Sequence, residues 1–199
     1  IRGLVGSEMC IRDRYYPRCP SPAQSLTVTA QTYTIDIGSG GPGASAGSGT
    51  GSNSTAFGLT ANGGGYGGAN EGQNAGDGGS GGGGGATANT GSNPGSANPD
   101  SDSTRQGNPG GAGASNRGGG GGGAGEAGHA GSGPTTISKG GDGVPFPGIP
   151  SSYGTTGPNP GRYFAGGGSG GEYPFTDGNR LGGAGGGGAV SYTHLRAHE

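Results

Sequence analysis

The residues that could do chemistry in this chain are few and scattered. His194 and His198 lie four apart, the spacing at which two imidazoles on one helical face hold zinc. Cys10, Cys19 and His129 are the remaining thiol and imidazole groups, far apart in sequence and without ligand spacing. Asp77 in GDGG and Asp142 in GGDGV echo calcium-binding Gly/Asp repeats. Those repeats need GGxGxD recurring at a fixed short period, which is missing here, so both aspartates read as turn residues. The G-x-G-x-x-G pattern occurs often, but nowhere between a strand and a helix, so it carries no dinucleotide site. Lys139, the single lysine, stands between Ser138 and Gly140, which excludes a phosphate-binding P-loop. Arg117-Gly118-Gly119 is one RGG in a chain of formal net charge −2, too little for nucleic-acid binding. Asn53-Ser54-Thr55 is a glycosylation sequon, meaningful only in a eukaryotic secreted protein. The expectation is a non-enzymatic chain with no catalytic, cofactor-binding or metal-binding residues.

Recognition by contact is the remaining chemistry. Tyr66, Phe146, Tyr153 and Tyr173 are the candidate ligand-binding residues, with Tyr163 and Phe175 of the same type nearby. Aromatic rings offer large contact area with few rotamers to freeze, which suits binding loops. The same rings equally suit filling a scarce core beside glycine tracts. The Pro-rich stretch Val144–Arg162 and the segment Gly91–Asn108 are expected as exposed loops.

The two ends must be judged before composition is used. Leu4–Asp13 (LVGSEMCIRD) and Val190–Glu199 (VSYTHLRAHE) pair residue by residue through reverse-complementary codons, Leu4 with Glu199 inward to Asp13 with Val190. One short DNA element read on opposite strands explains this, and the strings resemble read-through of a sequencing adapter. Residues 1–14 and 190–199 are therefore set aside as adapter-derived, and the natural reading frame is expected to be truncated at both ends. His194, His198 and Cys10 leave with them, and with them the zinc motif. Residues 15–24 (YYPRCPSPAQ) are a segment of uncertain kind, and 25–189 reads as a single domain. The one remaining cysteine argues against a disulfide scaffold. No stretch approaches the ~18 apolar residues of a transmembrane helix, so membrane insertion is not expected.

What must position any binding residue is mostly glycine, 59 of 199 residues. Between 15 and 189 there are thirteen Leu, Ile, Val and Phe residues, far below the ~20% at which disorder becomes the default. The pattern predicts an all-β or irregular fold with no helix, because glycine opposes helix at ~1 kcal/mol per residue. Ser25–Ile37 (SLTVTAQTYTIDI) alternates apolar and polar residues and predicts a hairpin. A link at Ala30-Gln31 would oppose Val28 to Tyr33 and Leu26 to Ile35. Thr55–Ala61, Arg162–Ala165 and Thr135–Ser138 are further short strands. The tracts 63–93, 107–133 and 166–188 are either flexible linkers or threefold polyglycine-II helices packed through backbone hydrogen bonds. Runs such as Gly118–Gly123 break the collagen frame.

The order of these pieces carries a resemblance. LTVTAQTYTIDIGSGGPG is followed by GSNSTAFGLTANGGGYGG, long glycine tracts, QGNPGGAG and RYFAGGGSGG. Ser25–Gly188 resembles the glycine-rich domain of bacteriophage tail-fibre and adhesin proteins and of some bacterial surface proteins. The resemblance implies a virion or extracellular location and loops presented to a host-surface glycan or protein. It also implies an oligomer through a fibre domain outside this chain. The family's preceding strand and first glycine tract are absent, and Tyr15–Gln24 stands in their place. The alternatives are a disordered or structural glycine-rich cell-wall protein and an ice-binding polyproline-II bundle, which uses a regular tripeptide repeat missing here.

Overall fold

The computed structural model describes residues 29–42, 49–69, 73–86, 95–96, 106–114, 116–131, 138–171 and 181–188. Among them there is no α- or 3₁₀-helix. Five short strands form two antiparallel sheets. Strands β1 (Ile35–Asp36), β2 (Ser54–Ala56) and β3 (Leu59–Ala61) make one sheet. Strands β4 (Val144–Phe146) and β5 (Arg162–Phe164) make the other.

Thr55–Ala61 is a hairpin, not the single strand its pattern predicts. Ser54 pairs with Ala61 and Ala56 with Leu59 across a two-residue link. Phe57 and Gly58 take φ of 54° and 76°, the positive values that match a tight turn to strand twist. Glycine adopts this freely; Phe57 does not, and its ring packs on Tyr33 at a centroid distance of 4.9 Å. In the predicted Ser25–Ile37 hairpin, residues 25–28 lie outside the described residues, and so do the Val28–Tyr33 and Leu26–Ile35 pairings. Ala30 and Gln31 do form a bend. The Tyr33 hydroxyl closes it by accepting the Thr29 N–H (2.7 Å) and donating to the Thr29 carbonyl (3.0 Å). On its described side, Ile35 pairs with Ala56 and Asp36 with Thr55. Of the predicted Thr135–Ser138 strand, residues 135–137 are outside the described residues, while the predicted Arg162–Ala165 strand forms β5 over Arg162–Phe164.

The glycine tracts are ordered by backbone hydrogen bonds that recur every third residue. Residues 118–124 show this most fully. The N–H groups of Gly118, Gly121 and Ala124 donate to the carbonyls of Gly171, Gly168 and Ala165 at 2.7, 2.8 and 2.9 Å. Those of Gly119 and Gly122 donate to Gly84 and Gly81, and those of Gly120 and Gly123 to His129 and Glu126. Successive residues thus address three directions, the signature of a helix with three residues per turn and no internal bonds. The same tract accepts from Asn108, Gly111 and Gly141. No described glycine between Gly63 and Gly143 has a positive φ, so the threefold helix is the left-handed one that L-residues also adopt.

The pattern spreads outward from this centre. Gly65 and Gly68 donate to Ser80 and Gly83, and Gly81 and Gly84 to Asn108 and Gly111, both with parallel neighbours. Gly167 and Gly170 donate antiparallel to Gly141 and Ser138. Gly81–Gly85 and Gly118–Gly120 are buried, yet they contribute no side chain. Tyr163, at 2% exposure, is the one buried hydrophobic residue among those described. The core of this protein is its own backbone.

That packing explains the composition. At Gly119, Gly120 and Gly122 a Cβ would overlap the carbonyl oxygens of Gly111, Lys139 and Asn108. The buried backbone groups meet directly, which satisfies the demand that each buried N–H and C=O find a partner. Polar side chains add staples. The buried Asn108 amide donates to the carbonyls of Gly123 (2.9 Å) and Ala124 (3.1 Å). The Gln106 amide accepts the Asn62 N–H (2.6 Å) and donates to the Thr60 carbonyl (2.8 Å), tying β3 to the bundle as a strand would.

Candidate functional site

The longest unbroken run of exposed residues among those described starts at the last residue of β4. From Phe146 through Pro160 every residue is exposed. It begins inside the predicted Pro-rich loop, but Val144–Phe146 is strand β4 rather than loop. Val144 pairs with Phe164, Pro145 with Tyr163 and Phe146 with Arg162. A two-stranded ribbon tolerates Pro145, whose missing N–H is harmless at an edge. That proline and the short length hide the strand in the sequence.

The excursion is fixed in shape by the strand that follows it. Arg162 turns its guanidinium onto the loop, Nε donating to the Tyr153 carbonyl (2.6 Å) and Nη2 to the Gly154 carbonyl (2.5 Å). Thr155 and Tyr163 exchange backbone hydrogen bonds of 3.1 and 2.8 Å. The buried Tyr163 hydroxyl accepts the Asn159 N–H at 2.9 Å. Thr155 Oγ1 accepts the Gly185 N–H at 2.6 Å, joining the loop to the last glycine tract. Gly148 (φ 76°) and Gly154 (φ 59°) make the reversals. Two rings stand outward on this frame: Phe146 at 48% and Tyr153 at 62% exposure. Phe146 is braced edge-on by Phe164, with centroids 5.8 Å apart. Tyr153 is tied at both backbone groups, its N–H to the Pro150 carbonyl at 3.0 Å and its own carbonyl to Arg162.

The other candidates separate. Tyr66 is half-buried with its ring over Gly76, where a Cβ would overlap it, so it fills the bundle. Tyr173 lies outside the described residues. Of Gly91–Asn108, the structure describes 95–96 and 106–108, and Asn108 is buried rather than exposed. Phe146 and Tyr153 are brought to one loop. Ile149, 39% exposed, and the clamp residues Arg162 and Tyr163 belong to the same site and carry no motif that marks them. Their only sequence signal is the RYF strand that follows a Pro-rich run.

Glu126, His129, Lys139 and Asp142 form a separate ionisable cluster. Lys139 Nζ bridges Asp142 Oδ1 (2.8 Å) and Glu126 Oε2 (3.4 Å), and Glu126 Oε1 meets His129 Nε2 at 3.2 Å. Asp142 Oδ1 also accepts the Ala184 N–H at 2.8 Å. Burial works against both charges, but the carboxylates hold the Lys139 pKa above its ordinary value. The same burial opposes the Asp142 carboxylate, yet Lys139 and the Ala184 N–H hold its pKa below the usual range. Asp142 therefore staples two tracts. Asp77 acts likewise, accepting the Ser96 N–H at 2.6 Å. Neither lies in the turn expected of it: each carboxylate holds a backbone N–H from a distant segment instead of a local one.

A family model described as a glycine-rich domain matches residues 19–197, and the chain belongs to that family. No curated protein and no solved structure matches the chain.

Proposed function

We propose that this member of the glycine-rich domain family is a non-enzymatic adhesive module, part of a phage tail fibre or adhesin, working on the virion or another extracellular surface. One observation carries the reading: a backbone-packed bundle holds an uncharged, aromatic, fully exposed loop in a single shape. A scaffold of this kind has few side chains to place around a reaction. It has instead a rigid frame, and rigidity lowers the ordering cost of binding. Rings on a fixed loop supply contact area at small entropic cost. The partner class is a host cell-surface glycan or protein.

The test is a host-cell pull-down with the full chain, its fold verified by amide exchange. Retention on cells, lost when the 146–160 loop is replaced by a short Gly/Ser link, is the expected result. A folded chain that no cell surface retains would sink the adhesive reading.

A further inference from the structure

We infer that the Phe146–Pro160 loop is a binding surface for neutral carbohydrate, with Tyr153 and Phe146 as its stacking platform; the inference rests on the adhesive reading. The first ground is charge. From Gly143 through Gly161 the sequence carries no Asp, Glu, Lys, Arg or His. The adjacent Arg162 keeps its positive charge, but its Nε and Nη2 are directed at the Tyr153 and Gly154 carbonyls. Lys139 and Asp142, on the tract leading into β4, are paired with each other at 2.8 Å, and Lys139 also with Glu126 at 3.4 Å. An anionic or cationic partner therefore finds no counter-charge on this loop, and electrostatic complementarity is what selects charged partners.

The second ground is the mixture of surfaces. Tyr153 and Phe146 are exposed aromatic residues, and the negative quadrupole of an aromatic face attracts the weakly positive C–H face of a sugar ring. The same loop carries Ser151, Ser152, Thr156 and Asn159, all exposed, with hydroxyl and amide groups that can both donate and accept. A neutral sugar presents this same pair of chemistries, an apolar face and a rim of hydroxyls. The third ground is shape retention. Both backbone groups of Tyr153 are hydrogen-bonded, as is the Asn159 N–H, so the platform is built before a ligand arrives.

The Pro-rich sequence does not favour a proline-reading partner. Gly148 at φ 76° breaks the left-handed extended conformation between Pro147 and Pro150 that such partners read.

The experiment presents the full chain to an array of neutral oligosaccharides and their sialylated and sulfated counterparts, beside whole host cells. Tyr153→Ala, Tyr153→Phe and Phe146→Ala accompany the parent chain, with amide exchange confirming an intact bundle. Binding to neutral members is expected, weakened about tenfold or more by Tyr153→Ala and retained by Tyr153→Phe. Raising sodium chloride from about 0.15 to about 0.5 M should change it less than about twofold. Binding confined to charged members, or unmoved by Tyr153→Ala, overturns the inference. Cells bound without any neutral oligosaccharide overturn it too, and leave adhesion standing. A folded chain that binds neither sinks both readings.

Discussion

The bundle and the loop solve opposite problems with different atoms. In residues 118–124 almost nothing but backbone is present, and every N–H finds a carbonyl on a neighbouring tract. Between Phe146 and Pro160 side chains join the backbone in the holding: the Arg162 fork, the Tyr163 hydroxyl and the Thr155 hydroxyl act beside the Thr155–Tyr163 backbone pair. The first region excludes side chains to let chains approach; the second uses a few to keep a protrusion in one shape. The difference teaches where variation can enter. A bundle held by close backbone contact cannot accept a Cβ at its contacts, whereas an exposed loop accepts any side chain that leaves its clamp alone.

The largest expected effect tests the hinge between the two regions. Tyr163→Ala empties the one buried aromatic position among the described residues and frees the Asn159 N–H, at a cost of about 3–5 kcal/mol. Chemical denaturation measures it, and an unchanged midpoint would mean that the loop is not anchored there. Next comes Gly122→Ala, whose Cβ meets the Asn108 carbonyl. A loss of about 1–3 kcal/mol is expected. Gly64→Ala is the control, because nothing lies near its Cβ. There the loss of glycine's unfolded-state freedom makes a change between zero and about +1 kcal/mol of stability. Equal effects at the two glycines would break the comparison.

Smaller effects follow. Arg162→Gln removes a charged fork from two carbonyls, at about 1–2 kcal/mol. It should loosen the loop while leaving amide exchange in 118–124 unchanged. Tyr153→Ala alters stability by less than about 0.5 kcal/mol, since the ring stands in solvent. The acid response is smaller still. Because the folded-state pKa of Asp142 is depressed, its stabilising contribution is present above the unfolded value of about 3.9. It fades as pH falls through the folded value. Asp142→Asn should flatten the acid limb of a thermal-stability profile below that point. An identical limb would remove Asp142 from the account.

The sequence shows more of the fold class than of the site. Absent helix, the RYF strand and the glycine tracts can all be read from residue types. Period three cannot, because a run of identical glycines has no pattern to show; only the partners of successive N–H groups reveal it. Thr55–Ala61 hides a hairpin because Phe57 is an unexpected residue for positive φ. Strand β4 hides behind Pro145. Of the four candidate aromatics, composition could not say which would turn inward. Tyr66 lies over Gly76 because glycine leaves room for a ring, while Tyr153 is carried out by a loop whose clamp lies nine residues downstream.

The central claim is that the glycine tracts are a hydrogen-bonded bundle. Amide hydrogen exchange on the full chain addresses it most directly. The N–H groups of residues 118–124, which point in three directions and are all engaged, should be protected together and lost together with Gly122→Ala. Exchange of those amides at random-coil rates, in a chain whose Tyr163 remains buried, would contradict the bundle outright.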